Sequence, residues 1–444
     1  MKRDNFSGTF GVLVALAGSA IGLGNLWRFP YLVGTNGGAA FILIYLLFVF
    51  VLCLPILISE FLVGRRSQSN AVRAFTTLAP KSKWGIVGVL GVLGAIAILS
   101  FYSVVGGWTL NYAVKAISMD LLHTSEQVTD TFNSMVTSPF EPVIYMFLFL
   151  LLTAGVIIGG IKNGIERFSK IMMPILFVMI VMIAVRSVTL PGAGAGIEFL
   201  FKPDFSKVTF ETLLVALGQA FFSLSIGCGA VLTYASYVKK SENIVKTSAL
   251  TAFSDAIFAM IAGLAVMPAV FAFGVSPTEG PGLVFIILPE IFEQLPAGGF
   301  IAILFFFILL IAAVTSSISL MEVIVTYIIE EFRLSRKIAI LVTLFIATIL
   351  GTLCSLSQGV LSQIRIFGLN IFDFFDSLSA NVLMTLGGLL LVLFVGWKLK
   401  KEDFMDEISN SGTLNHKILY GAIYFLIRYI APIVILTIMI FGLI

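Results

Sequence analysis

The sequence predicts an all-helical, polytopic membrane protein, and two observations carry that prediction. Hydrophobic residues fill 59% of the 444 positions and charged residues only 11%, with a mean hydropathy of +1.07; a soluble domain carries roughly 25% charged residues. Uncharged runs of at least the roughly 20 residues that cross a bilayer recur from end to end, leaving no separate water-soluble domain. Charge or Gly/Pro clusters divide these runs into eleven candidate helices, at about 11–33, 39–63, 86–118, 142–160, 166–186, 211–237, 247–274, 297–330, 337–357, 370–397 and 418–443.

The first run holds Asn25, Trp27 and Arg28 and no small-residue cleavage site, so it reads as a retained span rather than a signal peptide. The net charge is only +3, with the basic residues scattered rather than gathered into a stripe, which argues against a nucleic-acid partner. Cys53, Cys228 and Cys354 all fall inside apolar runs, as small membrane residues rather than a disulfide or metal framework.

Loop charge sets the orientation. Basic residues concentrate at the N-terminus (Lys2, Arg3) and after helices 2, 4, 6, 8 and 10, among them Arg65, Arg66, Lys162, Lys239, Lys240, Arg333, Arg336, Lys398 and Lys401. The loop after helix 3 carries Asp120, Glu126, Asp130 and Glu141, and that after helix 7 carries Glu279, Glu290 and Glu293. The positive-inside rule then predicts a multi-pass inner-membrane protein with its N-terminus inside and, after eleven spans, its C-terminus outside.

Helix 1 is interrupted by Ile21-Gly22-Leu23-Gly24 and helix 6 by Ile226-Gly227-Cys228-Gly229. A Gly pair alone also serves close helix packing, but matched positions five helices apart point to a repeat. An odd number of helices per unit inverts the second copy, predicting a 5+5 inverted-repeat transporter fold with discontinuous helices 1 and 6. Its units are residues 1–190 (helices 1–5) and 205–400 (helices 6–10), followed by one additional helix within 410–444.

Unwound backbone is costly in lipid, several kcal/mol for each unsatisfied group, so something must satisfy it. Half-helix N-termini suit an anion, while unwound carbonyls and half-helix C-termini suit a cation. A small zwitterion accompanied by a hard, oxygen-seeking cation such as sodium meets both demands. Asn25 follows the first break, Ser223 and Ser225 sit at the second, and Thr315-Ser316-Ser317 lies inside helix 8; hydroxyls in membrane helices also bond back to their own backbone. A charge at mid-bilayer costs about 2.5–3.5 kcal/mol even on lenient scales, which singles out Arg28, Glu60, Asp255, Glu322 and Asp376. Asp255 has no basic neighbour within a helical turn, so it is protonated, paired across helices or bound to a cation. Glu60 suits a structural role, accepting hydrogen bonds from unwound backbone; Arg28 and Asp376 also fit a plain interfacial placement, and Glu322 has no specific assignment.

The stretches AGSAIGLGNLWRFPYLVGTNGGAAFILIY, GQAFFSLSIGCGAVLTYASY and TSSISL resemble the bacterial, eleven-helix branch of the neurotransmitter:sodium symporter family, from about Asn5 to helix 10. The resemblance implies a first sodium site at the Ala20 carbonyl, Asn25, Ser223 and Asp255, completed by the substrate carboxylate. It implies a second at the Gly18 and Ile21 carbonyls with Ala312, Thr315 and Ser316. The substrate carboxylate would also meet the N–H groups near Leu23 and Gly24 and the Tyr102 hydroxyl, and its ammonium the carbonyls near Ala20, Phe222 and Ser225. Side-chain walls would be Ile98, Phe222, Cys228, Ser317 and Leu320. Arg28 with Asp376 would form an outer gate over Tyr102 and Phe222, and Arg3 with Glu330, near Tyr237, an inner one. Gly164 and Pro174 would mark a helix-5 segment able to unwind, a packed proline kink being the other reading.

One departure concerns chloride. Tyr45 and Gln219 match chloride-site positions, but Ala259 stands where chloride-dependent relatives place Ser, and Asp255 can supply the negative charge itself, so no chloride requirement is expected. The expected activity is sodium-coupled symport of a hydrophobic or aromatic amino acid by alternating access, with two sodium ions; Cys228, where relatives often carry a larger side chain, leaves room for bulk. A receptor or channel of the same fold is the alternative. An intramembrane enzyme is not expected: His123 and His416 lie in loops, and no G-x-S-x-G or metal-spaced cluster occurs.

Overall fold

The structure, a computed structural model, describes residues 5–121, 125–274 and 282–442. Lys2, Arg3, His123 and Glu279, named above, lie outside the described residues. The spans are α1a (Thr9–Ala20) and α1b (Gly24–Thr35), α2 (Ala39–Ser67), α3 (Gly85–Ile117), α4 (Glu141–Ile158), α5 (Ile161–Val188), α6a (Phe210–Ser223) and α6b (Ala230–Ala235). They continue with α7 (Ile244–Ala272), α8 (Gly298–Phe332), α9 (Arg336–Leu356), α10 (Ile371–Lys398) and α11 (Lys417–Thr437). Among the described residues nine of these helices are continuous and long enough to cross a bilayer.

The two exceptions are those that the Gly pairs predict. α1a and α1b meet at 51°, with Ile21 extended where the helix stops and Pro30 just after a π-helical turn over Gly24–Arg28 in the resumed helix, where the widened turn accommodates its missing N–H. In α6 the break is longer: after Ser223 the chain leaves helical geometry until Ala230, with Ser225, Gly227 and Gly229 all at positive φ (53°, 85° and 74°). For Ser225 that conformation is strained and has to be held by its surroundings.

Local proline chemistry explains other irregularities. In α2 a π-helical turn over Val49–Cys53 precedes Pro55, the re-registration that a proline imposes on a helix. α5 opens on a π-helical turn, Ile161–Glu166, which holds Gly164, and continues through Pro174 without unwinding.

Burial sets the layout: α8 is the most enclosed span, 78% of its apolar window being buried, against 33% for α5 and α11. α8 packs along α3 and α4, α7 packs against α5 and α1a, and α6b packs against α2. Small residues permit the closest approaches. A side chain at Gly107 of α3 would meet the Met146 backbone of α4 at 2.5 Å. The outer rim of α4, α5 and α9 presents Leu151, Leu152, Val178, Val185, Leu341 and Phe345, an apolar band of the kind a bilayer covers.

Candidate functional site at the two helix breaks

Both breaks face one point, and each supplies what the other lacks. The Ser225 hydroxyl donates to the Ser19 carbonyl at 3.2 Å, and Gln219 Nε2 donates to the Gly24 carbonyl at 3.2 Å. From α2, Glu60 Oε1 accepts the Gly227 N–H at 2.7 Å; from α3, the Tyr102 hydroxyl accepts the Leu23 N–H at 3.3 Å. Within the first break, Asn25 Oδ1 accepts the Gly22 N–H. Glu60 thus does what its position in an apolar run predicted: it satisfies unwound backbone.

Beside the break lies a buried oxygen cluster drawn from α1b, α2, α6a and α7. Asp255 accepts from Asn25 Nδ2 at 2.8 Å, from the Ser223 hydroxyl at 2.7 Å and from the Tyr45 hydroxyl at 3.2 Å, and Asn25 Nδ2 also reaches Ser223 at 3.1 Å. Asp255, Asn25, Tyr45 and Ser223 are all essentially inaccessible to solvent. Carboxylate and hydroxyl oxygens are ligands of a hard cation, and the Asn25 amide faces them with its Nδ2 while its Oδ1 takes the Gly22 N–H. A second set of oxygens lies between α1a and α8, where Ser316 Oγ is 3.4–3.5 Å from the Gly18 and Ser19 carbonyls and Thr315 turns its hydroxyl to the Ile311 and Ala312 carbonyls at 3.0 Å.

A small cavity, about 30 Å³, opens between these oxygen sets, lined by Ser19, Ala20, Gly22, Gly24, Ile98, Tyr102, Phe222, Ser223, Ser225, Cys228, Ser316, Leu320 and Met384. Above it a cavity of about 280 Å³ is bounded by Leu23, Gly24, Trp27, Arg28, Tyr31, Leu32, Phe101, Tyr102, Phe222, Phe372, Asp373 and Asp376. Gly24, Tyr102 and Phe222 belong to both, so the Phe222 and Tyr102 rings divide them. Arg28 and Asp376 line the larger cavity together, and the Arg28 guanidinium lies over the Phe222 ring at 4.8 Å, with no ion pair among the described residues.

The opposite end is laced shut. Glu322 is fully buried and accepts from the Tyr237 hydroxyl at 2.9 Å and from Arg336 Nη2 at 2.5 Å, while Arg336 Nε holds the Ile157 carbonyl of α4. The N-terminal segment joins in: the Phe6 N–H donates to the Tyr237 carbonyl, and Ser7 and Lys170 bond Glu166 at the start of α5. Glu330 accepts from the Asn70 backbone and side chain.

The model of the sodium:neurotransmitter symporter family matches residues 3–141 and 126–444. The chain belongs to this family. It is 42% identical over 438 residues to an uncharacterised sodium-dependent transporter of Bacillus subtilis, YhdH, covering 98% of this chain and 97% of that one. It is 25% identical over 464 residues to the sodium- and chloride-dependent GABA transporter 2 of Bos taurus, covering 92% and 75%. The crystal structure of MhsT in complex with L-phenylalanine superposes with a TM-score of 0.92 at 42% identity, over 99% of both chains. The protein is therefore a sodium-dependent transporter of the symporter family, with that family's fold, and not an enzyme.

Most of the residues named from the sequence come together at the breaks: Gly18, Asn25, Ser223, Asp255, Ala312, Thr315 and Ser316 in the two polar sets, and Ala20, Gly24, Ile98, Tyr102, Phe222, Ser225, Cys228 and Leu320 around the small cavity, with Ile21 at the point where α1a stops. Two differ. Ser317, expected as a wall, points away from the cavity: its hydroxyl is 2.7 Å from Thr153 Oγ1 on α4 and bonds the Val314 carbonyl, since one residue along a helix turns a side chain by about 100°. Leu23 borders the larger cavity rather than the small one. Sequence reasoning missed Ser19 and Met384, which complete the lining, and Arg336, the partner of Glu322. Arg336 stood in a basic loop segment, and the helix turn that folds it back over Glu322 leaves no pattern in the sequence.

Proposed function

We propose that this family member imports a hydrophobic or aromatic amino acid together with sodium by alternating access. The observation that carries the reading is the Asp255–Asn25–Ser223 cluster beside the two helix breaks, a buried carboxylate with no cationic side chain on it among the described residues. A sodium ion neutralises that carboxylate, and the substrate carboxylate completes its shell beside the free N–H groups near Leu23 and Gly24. The Ala20 carbonyl belongs to this first site; Gly18, Ile21, Ala312, Thr315 and Ser316 hold a second ion. Two sodium ions moving inward contribute about 4.6 kcal/mol per 100 mV, twice the value for one charge.

The substrate side chain sits among Ile98, Phe222, Cys228, Leu320 and Met384, an apolar wall with a small residue at Cys228. The L-phenylalanine bound in the MhsT structure supports a bulky side chain there. Arg28 and Asp376 close over Phe222 and Tyr102 from the outer cavity, and Tyr237, Glu330 and Arg3 close the inner end. Unwinding at Gly164 and Pro174 would let water reach the second ion from inside. Residues 1–190 and 205–400 act as the two inverted repeats, and the basic loops support an inner-membrane orientation with the N-terminus in the cytoplasm and the C-terminus outside. Because Asp255 supplies the negative charge, chloride is not required.

The test is a competition screen of the twenty amino acids against purified protein with sodium or with potassium, followed by uptake into proteoliposomes. Sodium-dependent binding of aromatic or large aliphatic amino acids, with uptake undiminished when gluconate replaces chloride, is the expected result. Absence of saturable, sodium-dependent exchange with any amino acid would overturn the proposal.

A further inference from the structure

Where the end of α10 packs against α11, remote from the transport site, a cationic side chain lies in a cage of aromatic rings with no acidic partner among the described residues. The Arg428 guanidinium is 4.5 Å from the Trp397 ring centre, 5.5 Å from that of Tyr429 and 5.9 Å from that of Tyr424. Its Nη1 donates to the Tyr424 hydroxyl at 3.2 Å, and its Nε is buried with no hydrogen-bond partner among the described residues. Lys401 Nζ approaches the same Tyr424 ring, 5.8 Å from its centre. Two cations therefore converge on one phenol.

The acidic residues nearby are committed elsewhere. Of the four in the adjoining helix Lys401–Ile408, Asp403 and Asp406 pair with Arg66, and Glu407 pairs with both Arg65 and Arg66; Glu402 makes no ion pair with Arg428 or Lys401. Among the described residues no carboxylate lies within ion-pairing distance of either cation. An uncompensated guanidinium this close to hydrocarbon is costly, and ring faces alone recover only part of that cost.

Depth identifies what compensates it. The Trp397 indole N–H donates to the Arg428 carbonyl at 3.0 Å, which puts Arg428 level with the last turn of α10, next to Lys398. Trp397 and Tyr429 are 58% and 44% exposed at the end of a membrane span, and Trp and Tyr favour the headgroup level of a bilayer. A guanidinium there matches a phosphodiester oxygen pair geometrically and electrically.

We propose that Arg428, with Lys401 and the Trp397–Tyr424–Tyr429 rings, forms a binding site for the phosphate of an anionic phospholipid in the leaflet facing the α10–α11 loop. The rings fix the guanidinium's plane, Nη2, which makes no hydrogen bond among the described residues, takes a phosphate oxygen, and Lys401 supplies the second charge that favours an anionic headgroup over a zwitterionic one.

Native mass spectrometry of the full chain, released from detergent with dioleoyl phosphatidylglycerol or dioleoyl phosphatidylcholine, tests this. The wild type is expected to retain phosphatidylglycerol in preference to phosphatidylcholine. Arg428→Gln should bind it about tenfold more weakly, the loss of one charge-assisted hydrogen bond, with Arg428→Lys in between. Equal retention of the two lipids, unchanged binding by Arg428→Gln, or displacement of the lipid by millimolar inorganic phosphate would each overturn the proposal, the last by making this a site for free anions. If Arg428→Gln fails to fold, Lys401→Gln decides: its side chain is on the surface, and unchanged phosphatidylglycerol binding there overturns the proposal as well.

Discussion

Glu322 of α8 and Arg336 at the start of α9 form a two-pronged ion pair, Nη2 to Oε2 at 2.5 Å and Nη1 to Oε1 at 3.1 Å, with the carboxylate wholly out of solvent. The pair joins the turn between two spans to Tyr237, two residues past the end of α6b. Removing the cation alone strands a buried charge, which costs about 3–5 kcal/mol in a fully buried pair; Arg336 keeps partial solvent contact, so the lower end applies. Arg336→Gln is expected to lower the midpoint of thermal inactivation of sodium-dependent binding, and Arg336→Gln with Glu322→Gln to recover part of the loss. A single variant as stable as the parent refutes the assignment.

Asp255→Asn removes the charge from the oxygen cluster while keeping its size. Apparent sodium affinity is expected to fall by about tenfold or more, the weight of one charge-assisted contact, and residual uptake to gain sensitivity to chloride, since an external anion can then replace the missing charge. Uptake measured against sodium concentration in chloride and in gluconate checks both parts. An unchanged sodium curve would falsify the role given to Asp255.

Glu60 separates bracing from transport. Glu60→Ala leaves the Gly227 N–H without its acceptor, at a cost of about 1–3 kcal/mol. Glu60→Gln keeps a carbonyl oxygen there and should retain most of the stability. The comparison is read by thermal inactivation in detergent; if Gln and Ala variants lose equal stability, the hydrogen bond is not what Glu60 contributes.

Cys228 sets the room available to the substrate. Cys228→Leu adds bulk facing Ile98 and Met384 and is expected to weaken binding of large amino acids by about 10–200-fold, with small ones affected less. The same competition screen reports it, and a uniform loss across all sizes would show damage to the fold rather than a narrower wall.

The sequence carried the fold far because lipid allows so few exceptions. Long apolar runs can only be helices, so eleven spans and the two breaks at Ile21–Gly24 and Ile226–Gly229 were readable at nearly their structural boundaries. Rare charges stood out for the same reason: Glu60 accepts the unwound Gly227 N–H as its residue type and depth foretold, and Asp255 gathers Asn25, Ser223 and Tyr45 around its carboxylate. Resolution failed where the answer depends on rotation about a helix axis or on contact between distant segments. Ser316 and Ser317 are alike as residues, yet one faces α1a and the other α4. Glu322 was conspicuous but unexplained, because its partner looked like one more basic residue of a loop. Met384 gave no signal, since an apolar residue on an apolar span looks the same whether it meets lipid or cavity.

The mutual support of the two breaks also bears on how the protein is made. The carbonyls of Ser19 and Gly24 find their partners in Ser225 and Gln219, separated from them by 206 and 195 residues. While the first half of the chain emerges and enters the bilayer, those partners have not been synthesised, so α1 has to wait with polar backbone unmatched, in contact with water, the insertion machinery or the Tyr102 hydroxyl alone. Correct assembly is therefore a late event, and conditions that slow synthesis of the second half should lengthen the interval in which the nascent protein is open to quality-control proteolysis.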